Sequence, residues 1–356
     1  MSSAVFTQKA AASLYGFNHY NPYTKEESIL NLQEVPKHLR NYRSAMRDNL
    51  LMLIRYAKEK NPDFKIVVHE GQELLTKSLW EYSREGYNLA RIHQGVEDDY
   101  FLLNQENFDD EPLLETPAYE YLHSIDAIIF NNIYCGENNT ISKVARNHHL
   151  DLISIEYCQN EEALKQAKIS AIADGRSIYG FTSLEKAFNT IGDYSMINDT
   201  AKNIYNISDA KNILILNDDS LYSSQEELTA DISKTNYDIV IIKPLFNYRK
   251  RFSPLNLQKM RFKKNGTKRL LLAELNISEA NPKEYYWNIK WRIGAPVWLA
   301  RPSFSNPDSI ITRYWAMEWR KIISRYFKDI LNEGFDGVFL TGLENNQYFE
   351  QQNPLE

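Results

Sequence analysis

The sequence predicts an α/β protein built as a single (β/α)8 barrel. Short β-branched or apolar runs alternate with amphipathic helical stretches, the pattern of strand–helix units around a parallel sheet. Eight such runs occur, the number a closed barrel needs. The chain has 356 residues, a length that one barrel with insertions accommodates.

Taken in order, the runs are FKIVV (64–68), IDAIIF (125–130), LISIEY (152–157), NILIL (212–216), DIVII (238–242), RLLLAEL (269–275), APVWLA (295–300) and FDGVFL (335–340). The helix 43–60 puts Met46, Leu50, Leu53, Ile54 and Ala57 on one face and stops before Asn61-Pro62, as expected ahead of a proline. The helices 161–175 and 315–334 end on Gly175 and Gly334, residues that cap a helix in the left-handed conformation. Two stretches interrupt the alternation. Residues 84–118 are acidic and loop-rich, an expected insertion over one barrel face; residues 192–211 are polar and aperiodic and read as a linker. No Gly-rich phosphate loop follows any strand, so nucleotide binding has little support.

Composition narrows the function classes. Hydrophobic residues are 43%, charged residues 25% and the net charge is −6. That is ordinary for a globular chain and unsuited to sequence-independent nucleic-acid binding. No apolar run approaches the roughly 20 residues that span a bilayer. The first residues, MSSAVFTQKAAASLYGF, lack a basic start followed by a sustained apolar stretch. They predict a cytoplasmic protein, or an exported one if a leader has been removed. The two cysteines, Cys135 and Cys158, are too few for a disulfide framework or a Cys-rich zinc site. Each closes an apolar run and reads as a packed thiol. No histidine cluster has metal-ligand spacing, and His148-His149 receives no role. Neither a metal nor a cofactor is expected.

The blocks RLLLAELNISEANPKEYYW, VWLA, YWAMEWRKII and GFDGVFLTGLENNQYF, in that order and spacing, resemble glycoside hydrolase family 114, whose members are endo-α-1,4-polygalactosaminidase-like (β/α)8 barrels. The first half resembles the same family. AMRDNLLMLIRYAKEKNPDFKIVVHEGQELL is similar to its later helix and sixth strand. YLHSIDAIIFNNIYCGEN is similar to its seventh strand, LDLISIEYC to its eighth, and IADGRSIYGFTSLEKAFNTI to its closing segment. The resemblance covers most of residues 43–349 with the halves swapped. It implies a circularly permuted barrel over 1–356, with 1–191 matching the family's C-terminal half, 192–211 joining, and 212–349 matching its N-terminal half. The new ends would then emerge at the C-terminal face of the strands, bringing Tyr15, Phe17 and Tyr20 beside the cleft.

A glycosidase needs two carboxylates across the scissile bond, and the family's acids sit at strand ends. Three of those positions have changed: Thr341, Asn131 and Lys243 stand where the family has Asp, Glu and Asp. Other acids persist or appear. Glu279 and Glu344 match family acids, Glu156 stands for a family Asp, and Glu70 with His69 replaces a Gln-Asn pair. Glu274 replaces a family Tyr. Glu279, Glu344 and Glu70 are the candidate catalytic acids. His69, Asn131, Glu156, Lys243, Glu274, Tyr286, Trp287 and Thr341 are candidate ligand contacts, Tyr286 and Trp287 as a surface on which sugar rings stack. Each acid also reads as a solvated or salt-bridged rim residue, and His69 as a satisfied core histidine. Asp336 starts its strand and reads as structural. Trp315 and Trp319, four apart, read as a buried helix face.

The expectation is a glycoside hydrolase-like barrel that binds an oligosaccharide or polysaccharide, possibly of amino-sugars, with catalysis weakened or lost. Its alternatives are an active glycosidase pairing Glu279 with Glu70 or Glu344, and a non-catalytic protein-interaction scaffold. A closed, dry network of Lys243 with Glu274 and Glu279 would favour a structural role. Carboxylates facing an open cleft would favour a site.

Overall fold

The computed structural model describes residues 40–77, 81, 117–136, 143–182, 188–191 and 200–352. The segment with Tyr15, Phe17 and Tyr20, residues 84–116 of the expected insertion and residues 192–199 lie outside them. The chain divides into two compact units. One comprises 44–76 and 117–345 and carries the barrel. The other comprises 1–43, 77–116 and 346–356. In its described part Arg43 Nη2 donates to Glu350 Oε2 (3.3 Å) and Tyr42 stacks on Phe349.

The first half of the chain runs α1 (Tyr42–Lys60), β1 (Lys65–His69), α2 (Tyr119–Leu122), β2 (Ala127–Asn131), α3 (Lys143–Asn147), β3 (Asp151–Tyr157), α4 (Glu161–Ala173) and β4 (Ser177–Phe181). The second half continues with β5 (Ile213–Leu216), α5 (Gln225–Ser233), β6 (Ile239–Ile242), the hairpin β7 (Leu245–Phe246) and β8 (Lys250–Arg251), and α6 (Pro254–Met260). Then come β9 (Leu270–Asn276), β10 (Glu279–Ala280), β11 (Leu299–Pro302), β12 (Ile310–Thr312), α7 (Met317–Glu333), β13 (Gly337–Thr341) and α8 (Asn345–Gln352).

Eight parallel strands form one sheet in the order β4-β3-β2-β1-β13-β9-β6-β5. Their near-continuous apolar runs follow from burial on both faces. The first and last barrel strands of the chain pair directly, Lys65 with Gly337 through Val68 with Leu340. The seam lies between β4 and β5. Ser177 Oγ donates to Ala210 O across it (2.8 Å), so the barrel is nearly closed.

Seven of the eight expected runs are barrel strands. The eighth differs. APVWLA (295–300) is not in the barrel: Leu299–Pro302 pairs antiparallel with β12, which pairs with β10, in a small side sheet. The barrel takes β4, SIYGF, instead. Gly180 within it permits close packing, since a Cβ there would lie 2.4 Å from Leu164 Cδ1 of α4.

The two cysteines are not packed thiols. Cys135 and Cys158 form a disulfide with Cα atoms 5.3 Å apart. They follow β2 and β3, which are neighbours in the sheet. The end of the expected linker is built into the barrel. Ile204 and Ile207 are buried, Lys263 Nζ donates to Thr200 O and Lys202 O, and Lys211 N donates to Asp238 Oδ2. Helix α7 buries Trp319, Ile323, Tyr326, Phe327 and Ile330 and ends on Gly334 at φ 89°, as its periodicity predicts. Asp336 is structural: its Oδ2 accepts from Leu271 N (2.9 Å).

Candidate functional site

Parallel strands bring their C-terminal ends to one face of a barrel, and the residues just past them share it. On β1, His69 closes the strand, and Glu70 turns the chain at φ 54°. Glu70 Oε1 accepts from Asn131 N (2.9 Å) at the end of β2. Asn131 Oδ1 lies 3.2 Å from His69 Nε2. Burial pushes the His69 pKa down, against the pull of Glu344. The neutral ring can therefore donate from Nε2 to Asn131. Burial, with Glu73 adding, pushes Glu70 up to about 7. The structure thus joins His69, Glu70 and Asn131.

Beyond β9, a turn at Ile277 and Ser278 delivers Glu279 into β10. Glu279 is 6% exposed. Its Oε1 accepts from Ser303 Oγ (2.7 Å) and Asn345 Nδ2 (3.2 Å), and its Oε2 from Asn276 Nδ2 (3.4 Å). Gly342 makes this arrangement possible. It sits at φ +82°, and a Cβ there would lie 2.4 Å from Asn276 Oδ1 and 2.6 Å from Ser278 Oγ. Gly342→Ala is therefore expected to lower stability by about 1–3 kcal/mol. It should also displace Glu279. Unchanged thermal melting would show that the turn relaxes freely.

Glu344 follows β13 and is half-buried. Burial raises its pKa most. His69 opposes this, and Glu279 and Glu70 raise it further. Among the described residues its buried Oε2 has no hydrogen-bond partner, and neither has Thr341 Oγ1. Buried polar atoms are normally paired, by protein, water or ligand, so two orphans three residues apart mark this strand end.

Glu274 of β9 and Lys243 after β6 are each half-buried. Burial raises Glu274, with Lys243 and a hydrogen bond from Asn217 opposing. Lys243 Nζ has no carboxylate oxygen within ion-pair distance among the described residues. It lies over the Tyr248 ring, 3.7 Å from the centroid. Burial pushes Glu284 up to about 7, and its Oε2 accepts from Tyr326 Oη (3.1 Å). The closed Lys243–Glu274–Glu279 network does not form.

Two expected contacts, Glu156 and Tyr286, are engaged within the fold, while a third, Trp287, stays half-buried. Glu156 is 0% exposed. It accepts from Tyr134 N, Cys135 N and Ser154 Oγ, which pins the turn after β2 and leaves no face for a ligand. Tyr286 belongs to an aromatic cluster with Tyr285, Trp319 and Tyr326. Trp287 is half-buried at the end of an edge-to-face series through Trp291 and Trp298. Cys135, Glu156 and Cys158 place potential metal-ligating atoms within 4.8 Å, but the sulfurs are bonded to each other. Sequence reading missed Glu284, Ser303, Asn345 and Tyr248. Asn345 alone carried a hint, as the neighbour of Glu344.

The raised carboxylates fix a pH dependence. Glu70 and Glu284 each move from an ordinary 4.5 to about 7. An acid whose folded pKa is raised contributes stability that is full below its unfolded value and is lost as pH rises through the folded value. Stability in denaturant should therefore fall between about pH 4.5 and 7. Glu70→Gln should flatten part of that slope; an unchanged slope would place Glu70 in water.

No family model matches the chain. It is 26% identical over 144 residues to an uncharacterized protein of Thermotoga maritima, covering 39% of this chain and 42% of the other. It is 28% identical over 158 residues to the uncharacterized protein MJ1477 of Methanocaldococcus jannaschii, covering 42% of each. An uncharacterized protein of Deinococcus radiodurans is 32% identical over 72 residues, covering 20% of this chain and 23% of the other. The matches thus span less than half the length of these relatives.

Proposed function

We propose that the strand-end face binds an oligosaccharide or polysaccharide, possibly of amino-sugars, in a glycoside hydrolase-like barrel with weakened cleavage. One observation carries the reading: Glu344 Oε2 and Thr341 Oγ1 are buried without partners among the described residues, beside Glu279, Glu70 and His69. Hydroxyl-rich ligands satisfy such atoms, because each hydroxyl both donates and accepts. The resemblance to glycoside hydrolase family 114 supplies the ligand class, since a barrel fold alone does not imply a function.

A second reading, slow hydrolysis, has its own support. Glu344, with its pKa raised, suits a proton donor to a leaving oxygen, and Glu279 suits the opposing carboxylate. Three hydrogen bonds engage both oxygens of Glu279 and leave fewer lone pairs to face water or a sugar, which is why cleavage is expected to be poor. The disulfide supports an oxidising compartment, where an exported protein would meet such polymers.

The test is calorimetric titration with α-1,4-linked galactosamine oligomers beside a reducing-end assay. Saturable binding should survive Glu344→Gln, while residual cleavage should fall about 10²–10⁴-fold. Binding by no oligomer overturns the first reading. Cleavage unaffected by Glu344→Gln and Glu279→Gln overturns the second.

A further inference from the structure

Lys243 has the surroundings of an ion-paired lysine without an ion pair among the described residues. It is half-buried, and its charge is felt by Glu274, Glu284 and Asp219. Yet among the described residues its ammonium has neither a hydrogen-bond acceptor nor a carboxylate in contact. It lies on the face of Tyr248 instead, an attraction that leaves the N–H donors unused.

The chain accepts strain to present that ring. Asn247 and Tyr248 both have positive φ, 50° and 62°, a region that a bulky non-glycine residue rarely occupies. Three contacts hold the turn there. Asn247 N donates to Asp219 Oδ2 (2.7 Å), Tyr248 N to Leu245 O (3.2 Å), and the β7–β8 ladder closes beneath. The hairpin so fixed presents the Tyr248 ring to the Lys243 ammonium.

We propose that Lys243, held by Tyr248, is a specificity determinant that accepts a sugar bearing an acceptor oxygen, such as an N-acyl carbonyl or a hydroxyl, and rejects a free sugar amine at this position. The inference rests on the saccharide reading above. An ammonium on the ligand would meet a protein ammonium that has no acceptor among the described residues, and like charges in contact at a partly dry site repel strongly. The acids nearby compensate less than their number suggests, since burial pushes Glu284 up to about 7.

The probes are two α-1,4-linked galactosamine oligomers of equal length, one fully N-acetylated and one fully de-N-acetylated. They are titrated at about pH 6, where a sugar amine is charged. The acetylated oligomer is expected to bind about tenfold or more tightly. Lys243→Met and Lys243→Gln should bring the ratio towards one. Tyr248→Phe should preserve it and Tyr248→Ala should narrow it. Thermal melting of each variant reports its folding, and the wild-type ratio stands independently of them. Equal binding, or tighter binding of the free amine, overturns this inference alone. So does a ratio that survives both Lys243 substitutions. Binding of neither oligomer overturns the saccharide reading and this inference with it.

Discussion

Lys263→Met is expected to destabilise the protein by about 3–5 kcal/mol. Lys263 and Asp238 form an ion pair with both side chains at 0% exposure and Nζ 2.5 Å from Oδ1. The methionine fills comparable space but leaves a buried carboxylate without its cation. Lys211 N and Thr200 Oγ1 still donate to Asp238, and two neutral donors do not replace an ammonium. Thr200 O and Lys202 O lose their donor as well. Adding Asp238→Asn should recover part of the loss, because it removes the stranded charge. Denaturant unfolding measures this, and a loss under about 1 kcal/mol would mean that water reaches the pair.

Trp319→Ala should cost a similar amount, about 3–5 kcal/mol, and should also weaken ligand binding. The ring is fully buried and packs against Trp298 and Tyr286. Its Nε1 donates to Ile277 O (2.8 Å), two residues before Glu279. Truncation therefore opens a cavity and releases the turn that carries the acid. Trp319→Phe fills most of the space but cannot donate, so it should lose less stability while still perturbing the site. Equal binding by wild type and both variants would separate the turn from the ligand.

The strand–helix alternation was readable because burial on both faces writes long apolar runs into the sequence, as in NILIL and DIVII. SIYGF lay inside a block read only as a closing segment; the structure makes it a barrel strand, with Gly180 admitting Leu164. APVWLA carries the same local signal as a barrel strand, and only its antiparallel partner Ile310–Thr312 reveals its true sheet. Among the candidate site residues, His69 and Glu70 were legible as polar groups at a strand end, and Glu279 and Glu344 through the family resemblance. Glu156 had the same signature, but its direction depends on a turn in a neighbouring unit, where the N–H groups of Tyr134 and Cys135 claim it. The disulfide was hidden for a related reason: it needs the adjacency of β2 and β3. The Lys243–Tyr248 contact needs an unusual backbone that no composition announces.

The pairing of β1 with β13 also constrains how the protein is made. Lys65 and Gly337 are ladder neighbours, yet nearly the whole barrel is synthesised between them. At ~5–20 residues per second, β1 waits on the order of tens of seconds for its partner to leave the ribosome. During that time it pairs only on the β2 side, and its other edge is open to any strand it meets. The last ladder to become possible lies in the middle of the finished sheet. The emergence of β13, rather than that of the earlier strand–helix units, should therefore be the moment at which the nascent chain becomes resistant to protease.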